Sequence, residues 1–148
     1  MTANNQLVTI YTDGACLGNP GPGGWAAILI YKEHQKKISG GQKDTTNNRM
    51  EMQAAIEAFR TLKKPSQITI YTDSKYVMDG ITKWIIGWKK NGWRNANRQA
   101  VKNSDLWQEL DAEVSRHKIQ WNWVKGHAGN HFNEVVDELA RKAAEAIR

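Results

Sequence analysis

Two stretches of the chain run through apolar and β-branched residues and then stop at an acid. The first, Leu7–Cys16, reaches Asp13, and Gly14 follows at once. The second, Ile68–Ser74, ends in the same way at Asp73. This composition predicts two β-strands. If the strands lie side by side and parallel, both carboxylates come to one edge of the sheet, where open α/β sheets collect ligands and metal ions.

Two carboxylates at one sheet edge repel each other. At about 4 Å the repulsion amounts to ~4 kcal/mol for an effective dielectric constant of about 20. Such a pair usually shares a proton or holds a metal ion. The pattern therefore indicates a candidate metal site before any other part of the chain is considered.

Three further strands are predicted. A glycine- and proline-rich turn, Gly14–Gly24, leads into the buried strand Trp25–Tyr31. The next strand covers about Lys36 to Lys43, antiparallel to the second and near a sheet edge. Ile119–Val124 alternates enough to form the last strand. The order β–α–β, with the first and fourth strands parallel, implies a right-handed crossover.

Apolar residues at helical spacing predict helices between these strands. The first helix follows N-cap candidates at residues 45–48 and ends at Lys63–Ser66. A short helix covers about Ser74 to Trp84, and another covers about Ser104 to Arg116. The last helix has the most regular spacing, with apolar residues at Phe132, Val135, Val136, Leu139, Ala140, Ala143, Ala144 and Ile147.

Residues 80–104 are basic and aromatic. The segment contains six lysines and arginines, no acid beside them, and three interleaved tryptophans: Trp84, Trp88 and Trp93. A helix is expected to about Asn91, followed by a loop around residues 91–93. The cations would suit a polyanion, whereas Trp84 and Trp88, at i and i+4, could also simply pack the helix onto the body.

Composition limits the class of protein. A chain of 148 residues, 40% hydrophobic and 24% charged, suggests a single globular domain spanning 1–148. The net charge of +6 favours polyanionic partners such as nucleic acid. The longest apolar run is too short to cross a membrane, and the first residues have no signal-peptide pattern. The single cysteine, Cys16, fits a reducing compartment. We expect a cytoplasmic, monomeric protein without membrane partners.

Four acids are candidates for one site, because a hard cation such as Mg²⁺ takes oxygen ligands from several elements. They stand at two strand ends, in the first turns of one helix and on the face of another: Asp13, Glu51, Asp73 and Asp137. Together they could meet at one sheet edge.

Each of the last three acids also has a plain structural interpretation. Glu51 could complete a capping box with Asn48 as the cap. Asp73 could cap the following helix. Asp137 lies four residues before Arg141 and could form a surface ion pair.

His127 stands between glycines in the sequence Gly126–Gly129. A buried structural histidine is normally contacted from both sides, whereas a histidine flanked by glycines is not. The usual histidine pKa of about 6.5 suits proton transfer at neutral pH. The alternative is an exposed loop histidine. The other three histidines are interpreted as surface residues: His34, His117 and His131.

Five motifs in order resemble bacterial type 1 ribonuclease H, over nearly the whole chain from about Leu7 to Arg148. They are Thr12–Gly24, Thr45–Glu51, Thr72–Val77, Trp88–Lys90 with Gly92–Trp93, and Trp123–Gly129. The resemblance implies an α/β ribonuclease H-like fold: a five-stranded mixed sheet with helices on both faces and a basic protruding handle at about residues 80–104. It also implies an endonuclease that cuts the RNA strand of RNA–DNA hybrids and leaves 5′-phosphate and 3′-hydroxyl ends.

The resemblance assigns roles to the candidate acids. It implies that all four hold two Mg²⁺ ions, with Asp13 touching both and with Mn²⁺ able to substitute. The ions would activate the attacking water and support the leaving oxygen in an in-line displacement. His127 would assist proton movement or product release, and Glu134, one turn before Asp137, would have a supporting role.

The same resemblance implies a hybrid-binding surface. The RNA strand would be recognised through its 2′-hydroxyls, and the DNA strand would lie on the basic handle. The residues at matching positions are Gly14, Cys16, Asn19, Thr46, Asn47, Asn48, Met50, Lys75, Trp84, Trp88, Lys89, Lys90 and Trp93.

The chain departs from the family pattern in several places. Asp44 and Gly87 stand where many relatives have arginine and asparagine in a pocket for a DNA phosphate, and an acid facing a phosphate is unfavourable. Lys75 replaces a more usual glutamine and could add a phosphate contact. Residues 131–136 are less polar than the family segment, which could change the loop and the packing of the last helix.

Two other functions stay open on the sequence alone. One is a catalytically silent module that binds hybrids, although all four acids and His127 are present. The other is a related nuclease such as a 3′ exonuclease. Those enzymes tend to carry a second acid two residues after the first, where this chain has Ala15.

Overall fold

Five strands form one mixed sheet in the computed structural model, which describes residues 6–125 and 130–148. Along the sheet the order is β3-β2-β1-β4-β5. The strands are β1 (Gln6–Cys16), β2 (Gly21–Tyr31), β3 (His34–Thr45), β4 (Ser66–Thr72) and β5 (Lys118–Trp123). The predicted strands are all present, but three of them are longer than predicted. β1 does not stop at Asp13 and continues to Cys16, β2 begins at Gly21 instead of Trp25, and β3 extends beyond both predicted ends.

The strand directions bring the two Tyr-Thr-Asp stretches to one edge. β1 pairs antiparallel with β2 and parallel with β4, and β4 pairs parallel with β5. In the β1–β4 register Tyr11 lies opposite Tyr71, and their rings stack with centroids 4.9 Å apart. Asp13 and Asp73 each follow two residues later, so both reach the carboxyl edge of the central strands, as predicted.

Helices cover both faces of the sheet. α1 packs on β1, β2 and α4, whereas α5 packs on β1, β2 and β3. The helices are α1 (Asn47–Thr61), α2 (Lys75–Asp79), α3 (Ile85–Lys90), α4 (Ser104–Val114) and α5 (His131–Ala146), with a π-helical turn (Gly80–Trp84) between α2 and α3. None of the helices described is long and apolar enough to cross a membrane.

Alternation along the central strands divides the core between the two faces. Val8 and Ile10 of β1 belong to the larger cluster, with Phe59 of α1 and Trp107 of α4. Tyr11 instead packs against the smaller cluster beneath α5. Burial of both faces explains why the central strands are nearly continuous apolar runs.

The basic segment is tied to the body through α4. Trp88 stacks at a tilt on the buried Trp107, with ring centroids 5.4 Å apart, and Lys89 forms an ion pair with Asp111 at 3.2 Å. Trp84 packs beside Trp88 but is 41% exposed. The packing role considered for these tryptophans is therefore present.

One local prediction was confirmed and another was wrong. Thr46, one of the N-cap candidates at residues 45–48, caps α1, and its hydroxyl accepts a hydrogen bond from the backbone N–H of Arg49 at 3.3 Å. His117 is not a free surface residue: its Nδ1 accepts from the Ser66 N–H at 3.0 Å, and its ring packs near Phe59. The hydrogen bond between Ser66 and His117 joins residues that are 51 positions apart in the chain, which the spacing of hydrophobic residues does not reveal.

Candidate metal centre

Three acids meet at the carboxyl edge of β1 and β4. One oxygen from each of Asp13, Glu51 and Asp73 lies within 4.8 Å of the others. Asp13 is on β1, Glu51 is on α1, and Asp73 directly follows β4. Asp13 is 3% exposed and Glu51 is 6% exposed, so the cluster is largely withdrawn from water.

Gly14 lets α1 approach β1 closely enough to form the cluster. A Cβ at Gly14 would lie 2.5 Å from the backbone nitrogen of Glu51 and 2.6 Å from the carbonyl carbon of Met50. The N–H of Gly14 also donates to Oδ1 of Asp13 at 2.9 Å. Direct backbone contact between strand and helix therefore sets the separation of Asp13 and Glu51.

Burial makes the carboxylates hard to ionise together. Burial raises the pKa of Asp13 to about 8, and the charges of Asp73 and Asp137 act in the same direction. Burial likewise raises the pKa of Glu51 well above its usual value, and the charges of Asp13 and Asp73 add to the effect. A bound cation would reverse this balance, because it favours the charged form of each acid.

Asp137 adjoins the cluster from α5 without belonging to the group within 4.8 Å. It raises the pKa of Asp13 through its charge and through a side-chain hydrogen bond. Its Oδ2 also accepts from Nε of Arg141 at 3.3 Å. The surface ion pair and the contact with the site therefore coexist.

The helix-cap interpretations of Glu51 and Asp73 are wrong. The buried Glu51 carboxyl lies in the cluster with Asp13 and Asp73, and the N-cap of α1 is Thr46, so Asn48 and Glu51 form no capping box. Ser74, not Asp73, caps α2, and its hydroxyl accepts from the Val77 N–H at 3.1 Å. Both acids are thus directed to the cluster instead of to helix ends.

The donor set fits a hard divalent cation. All of its members offer carboxylate oxygen, which Mg²⁺ and similar ions prefer. Oε1 of Glu51 is buried and has no hydrogen-bond partner in the described part of the chain. A buried acceptor without a partner is costly, and a cation would satisfy it.

The predicted RNA-side residues converge beside the acids. The side-chain oxygen of Asn19 accepts from the Asn47 N–H at 3.0 Å, which joins the turn after β1 to the start of α1. The thiol of Cys16 lies 3.5 Å from the Thr45 carbonyl. Asn47 and Asn48 are exposed there, whereas the side chain of Met50 is buried, so only the Asn side chains reach outward.

The remaining predicted residues lie on other elements. Lys75 is the first residue of α2, and its Nζ lies 4.5 Å above the ring of Trp123. Gly87 is on α3, where an added Cβ would have no atom within 4 Å. Lys90 ends α3 and is exposed, and Trp93 follows in the loop. His127 lies outside the described residues.

Two residues beside the site were not predicted from the sequence. Arg49 binds both oxygens of Asp105, at 3.0 and 2.7 Å, and so ties α1 to α4 two residues before Glu51. Trp123 donates from Nε1 to the backbone carbonyl of Asp73 at 3.1 Å. Arg49 lies within the Thr45–Glu51 motif and Trp123 begins the Trp123–Gly129 motif. Neither residue is near its partner in sequence, so no local signal revealed these hydrogen bonds.

Comparison with known proteins gives the family. The sequence model described as RNase H matches residues 5–145. The chain belongs to the ribonuclease H family. A ribonuclease H from Aeromonas salmonicida is 64% identical over 137 residues, which cover 93% of this chain and 89% of the relative. One from Agrobacterium fabrum is 60% identical over 141 residues, covering 95% of this chain and 97% of the relative.

Solved structures agree with the ribonuclease H fold. The crystal structure of LC9-RNase H1, described as a type 1 RNase H with the type 2 active-site motif, has a TM-score of 0.88 at 35% identity and covers 97% of this chain and 74% of that one. The solution structure of the PFV RNase H domain has a TM-score of 0.80 at 23% identity over the full length of both chains. The predicted family and fold class are confirmed.

Proposed function

We propose that this ribonuclease H is an endonuclease that hydrolyses the RNA strand of RNA–DNA hybrids and leaves 5′-phosphate and 3′-hydroxyl ends. The observation that carries the proposal is the cluster of the buried Asp13 and Glu51 with the partly buried Asp73 at the carboxyl edge of the sheet. The raised pKa values of Asp13 and Glu51 disfavour their charged forms unless a cation is bound, so the cluster is suited to hold divalent cations. Membership of the ribonuclease H family supplies the substrate class.

The resident cations would be Mg²⁺, with Mn²⁺ able to substitute. Asp13, Glu51 and Asp73 would be ligands, and Asp137 would join from α5. When bound, two such ions activate a water molecule and stabilise the leaving 3′ oxygen in an in-line displacement. Asp13 would be the central ligand, because the charges of Asp73 and Asp137 raise its pKa, and its own charge raises the pKa of Glu51 in turn.

The chain's own residues fix the geometry of the reaction. The Gly14 N–H orients the Asp13 carboxylate, and the backbone contact at Gly14 holds Glu51 at its distance. Burial excludes water from these oxygens, which strengthens their interaction with a cation. We assign His127 to proton movement or product release and Glu134, exposed in the first turn of α5, to a supporting role.

We assign the two strands of the hybrid to two surfaces. The RNA strand would lie on the turn after β1 and the start of α1, where exposed Asn19, Asn47 and Asn48 can meet its 2′-hydroxyls. The DNA strand would lie on the basic segment, with Thr46 at a phosphate and Asp44 weakening that contact. The residues assigned to this surface also include Lys75, Trp84, Trp88, Lys89, Lys90 and Trp93.

We further propose that the protein acts as a monomer in the cytoplasm. One free cysteine, Cys16, fits the reducing conditions there. The charge of +6 favours nucleic acid as the partner.

The test uses a hybrid whose RNA strand is labelled internally and whose ends are blocked by circularisation. We expect Mg²⁺-dependent cuts within the RNA strand, and no cuts in double-stranded RNA or double-stranded DNA of the same sequence. The new RNA ends should accept a 3′ extension directly and should resist 5′ phosphorylation until dephosphorylated.

Each alternative function predicts a different result in this assay. Binding of the hybrid without cleavage at any Mg²⁺ or Mn²⁺ concentration would support the silent module. Cleavage of open hybrids only, with products shortened stepwise from an end, would support the exonuclease. Either result would overturn the proposal.

Replacing Lys90 by Ala should weaken hybrid binding and reduce its dependence on salt. Lys90 is exposed at the end of α3, and removing one lysine–phosphate interaction reduces the slope of log K against log salt by about 1. Lys89→Ala should have a smaller effect on its own, because Lys89 already pairs with Asp111 at 3.2 Å. Fluorescence anisotropy at several salt concentrations measures both effects.

The matched control for Lys90 is Lys64→Ala. Lys64 is also exposed, but it lies just before the first residue of β4, at the opposite end of that strand from the acids. A salt slope that changes as much in the Lys64 variant as in the Lys90 variant would remove the basic segment from the binding surface.

A further inference from the structure

Asp73 lies in a connection of two residues between β4 and α2, and this connection is held from three directions. Val124 N–H donates to the Thr72 carbonyl at 2.9 Å, which extends the β4–β5 pairing to the end of the strand. On the other side, the Ser74 N–H donates to Oγ1 of Thr72 at 3.1 Å, and Ser74 caps α2. The backbone carbonyl of Asp73 itself is held by a side chain, that of Trp123.

Trp123 is placed to make this contact by the register of the sheet. It is the last residue of β5 and lies opposite Thr72, one residue before Asp73. Its Nε1 donates to the Asp73 carbonyl at 3.1 Å. Because Trp123 is 39% exposed, it contributes much less to the core than a tryptophan buried beneath a helix. A large exposed ring at this position calls for an explanation other than packing.

The ring of Trp123 has a second neighbour. Nζ of Lys75 lies 4.5 Å from the ring centroid, within the range of a cation–π interaction. Lys75 is exposed and begins α2, two residues after Asp73. One side chain therefore contacts both the backbone of a cluster acid and the cation next to it in the chain.

We propose that Trp123 is a positioning residue of the metal centre. Its indole N–H fixes the peptide that carries the Asp73 carboxylate, and its ring fixes the ammonium of Lys75. A ligand held by such outer hydrogen bonds needs less reorganisation when a cation binds, and removing one of them commonly costs about tenfold or more in metal affinity or activity. The catalytic part of this inference rests on the proposed function, whereas the effect on metal binding does not.

The first test is Trp123→Phe, which removes the indole N–H and keeps an aromatic ring beneath Lys75. We expect the dissociation constant for Mn²⁺, measured by electron paramagnetic resonance without substrate, to rise roughly tenfold. We expect kcat on the hybrid to fall by a similar factor, and KM to change less than about twofold because the ring is retained.

The matched control is Trp121→Phe on the same strand. Trp121 packs edge-on against Phe59, with centroids 6.0 Å apart, and is a partly buried residue that packs against the larger core cluster. This variant should lower the melting temperature while leaving Mn²⁺ affinity unchanged. A loss of Mn²⁺ affinity as large as that of the Trp123 variant, or unchanged Mn²⁺ affinity in the Trp123 variant, would overturn the proposal.

A second measurement uses the unsubstituted chain and does not depend on a variant that folds. The indole N–H resonance of Trp123 should exchange with solvent several-fold more slowly than that of the similarly exposed Trp84, because it is hydrogen-bonded. It should also be broadened by added Mn²⁺, and rapid exchange without broadening would contradict the assignment. If the chain binds Mn²⁺ but cuts no hybrid, the proposed function fails while the result for Trp123 stands on its own.

Discussion

Asp13→Asn should abolish Mg²⁺-dependent cleavage of the hybrid while leaving the fold intact. The charges of Asp73 and Asp137 both raise the pKa of Asp13, so Asp13 lies close to both acids. Its replacement therefore removes the central carboxylate of the proposed metal site. A metal site supplies several kcal/mol of transition-state stabilisation, which corresponds to a loss on the order of 10³-fold or more in kcat. Single-turnover cleavage of the labelled hybrid measures the loss.

Hybrid binding by the Asp13 variant separates this explanation from unfolding. Asparagine has nearly the same shape and can still accept from the Gly14 N–H, as Oδ1 of Asp13 does at 2.9 Å. We expect the variant to bind the hybrid with at most a few-fold change in affinity. Glu33→Gln is the control, because it removes an exposed carboxylate in the turn between β2 and β3, outside both the cluster and the assigned binding surfaces. Cleavage by the Asp13 variant within tenfold of wild type would exclude the assigned site.

Without divalent metal, the folded protein should lose stability as pH rises from about 4 to about 8. Burial raises the pKa of Asp13 from 3.8 to about 8, so between these values the folded chain binds more protons than the unfolded chain. The stability that Asp13 contributes to the folded state is fully present below pH 3.8 and is lost as pH rises through about 8. One such group changes the free energy of unfolding by at most about 1.4 kcal/mol per pH unit.

Urea unfolding in EDTA, at several pH values, measures this loss. The informative quantity is the difference in free energy of unfolding between wild type and Asp13→Asn, since other groups titrate in both proteins. His117 is one of them: burial lowers its pKa, so its own contribution has the opposite pH dependence. We expect the difference to fall with rising pH in EDTA and to recover in saturating Mg²⁺. A difference independent of pH would contradict the raised pKa.

Much of the fold follows from local pattern. The apolar runs before Asp13 and Asp73 specify adjacent buried strands, and a parallel pair of such strands brings their final acids to one edge. The regular spacing of α5 is also a local property, and its observed bounds, His131–Ala146, lie close to the predicted ones. The predicted helix through Trp84 is present, but the sequence did not indicate its π-helical turn, where Gly80 lies against the ring of Trp107.

The site was only partly predictable, because its decisive contacts join distant residues. Asp13, Glu51 and Asp73 were correctly expected to meet, since each stands at the end or start of a predicted element. The indole contact of Trp123 with Asp73 depends on the register of β5, which alternation alone does not specify. Asp137 both forms the surface ion pair with Arg141 and interacts with Asp13 of the cluster. Its spacing in the sequence therefore could not have decided between a surface role and a role in the site.

The absent side chain at Gly14 has a consequence for redesign of the centre. Since the backbone of β1 directly contacts the backbone of α1 at Gly14, the distance between the backbones of Asp13 and Glu51 is insensitive to repacking of the apolar residues beneath α1. The distance between the two backbones would change only if the whole helix shifted away from the strand, and a side chain as small as that of alanine at position 14 would force such a shift.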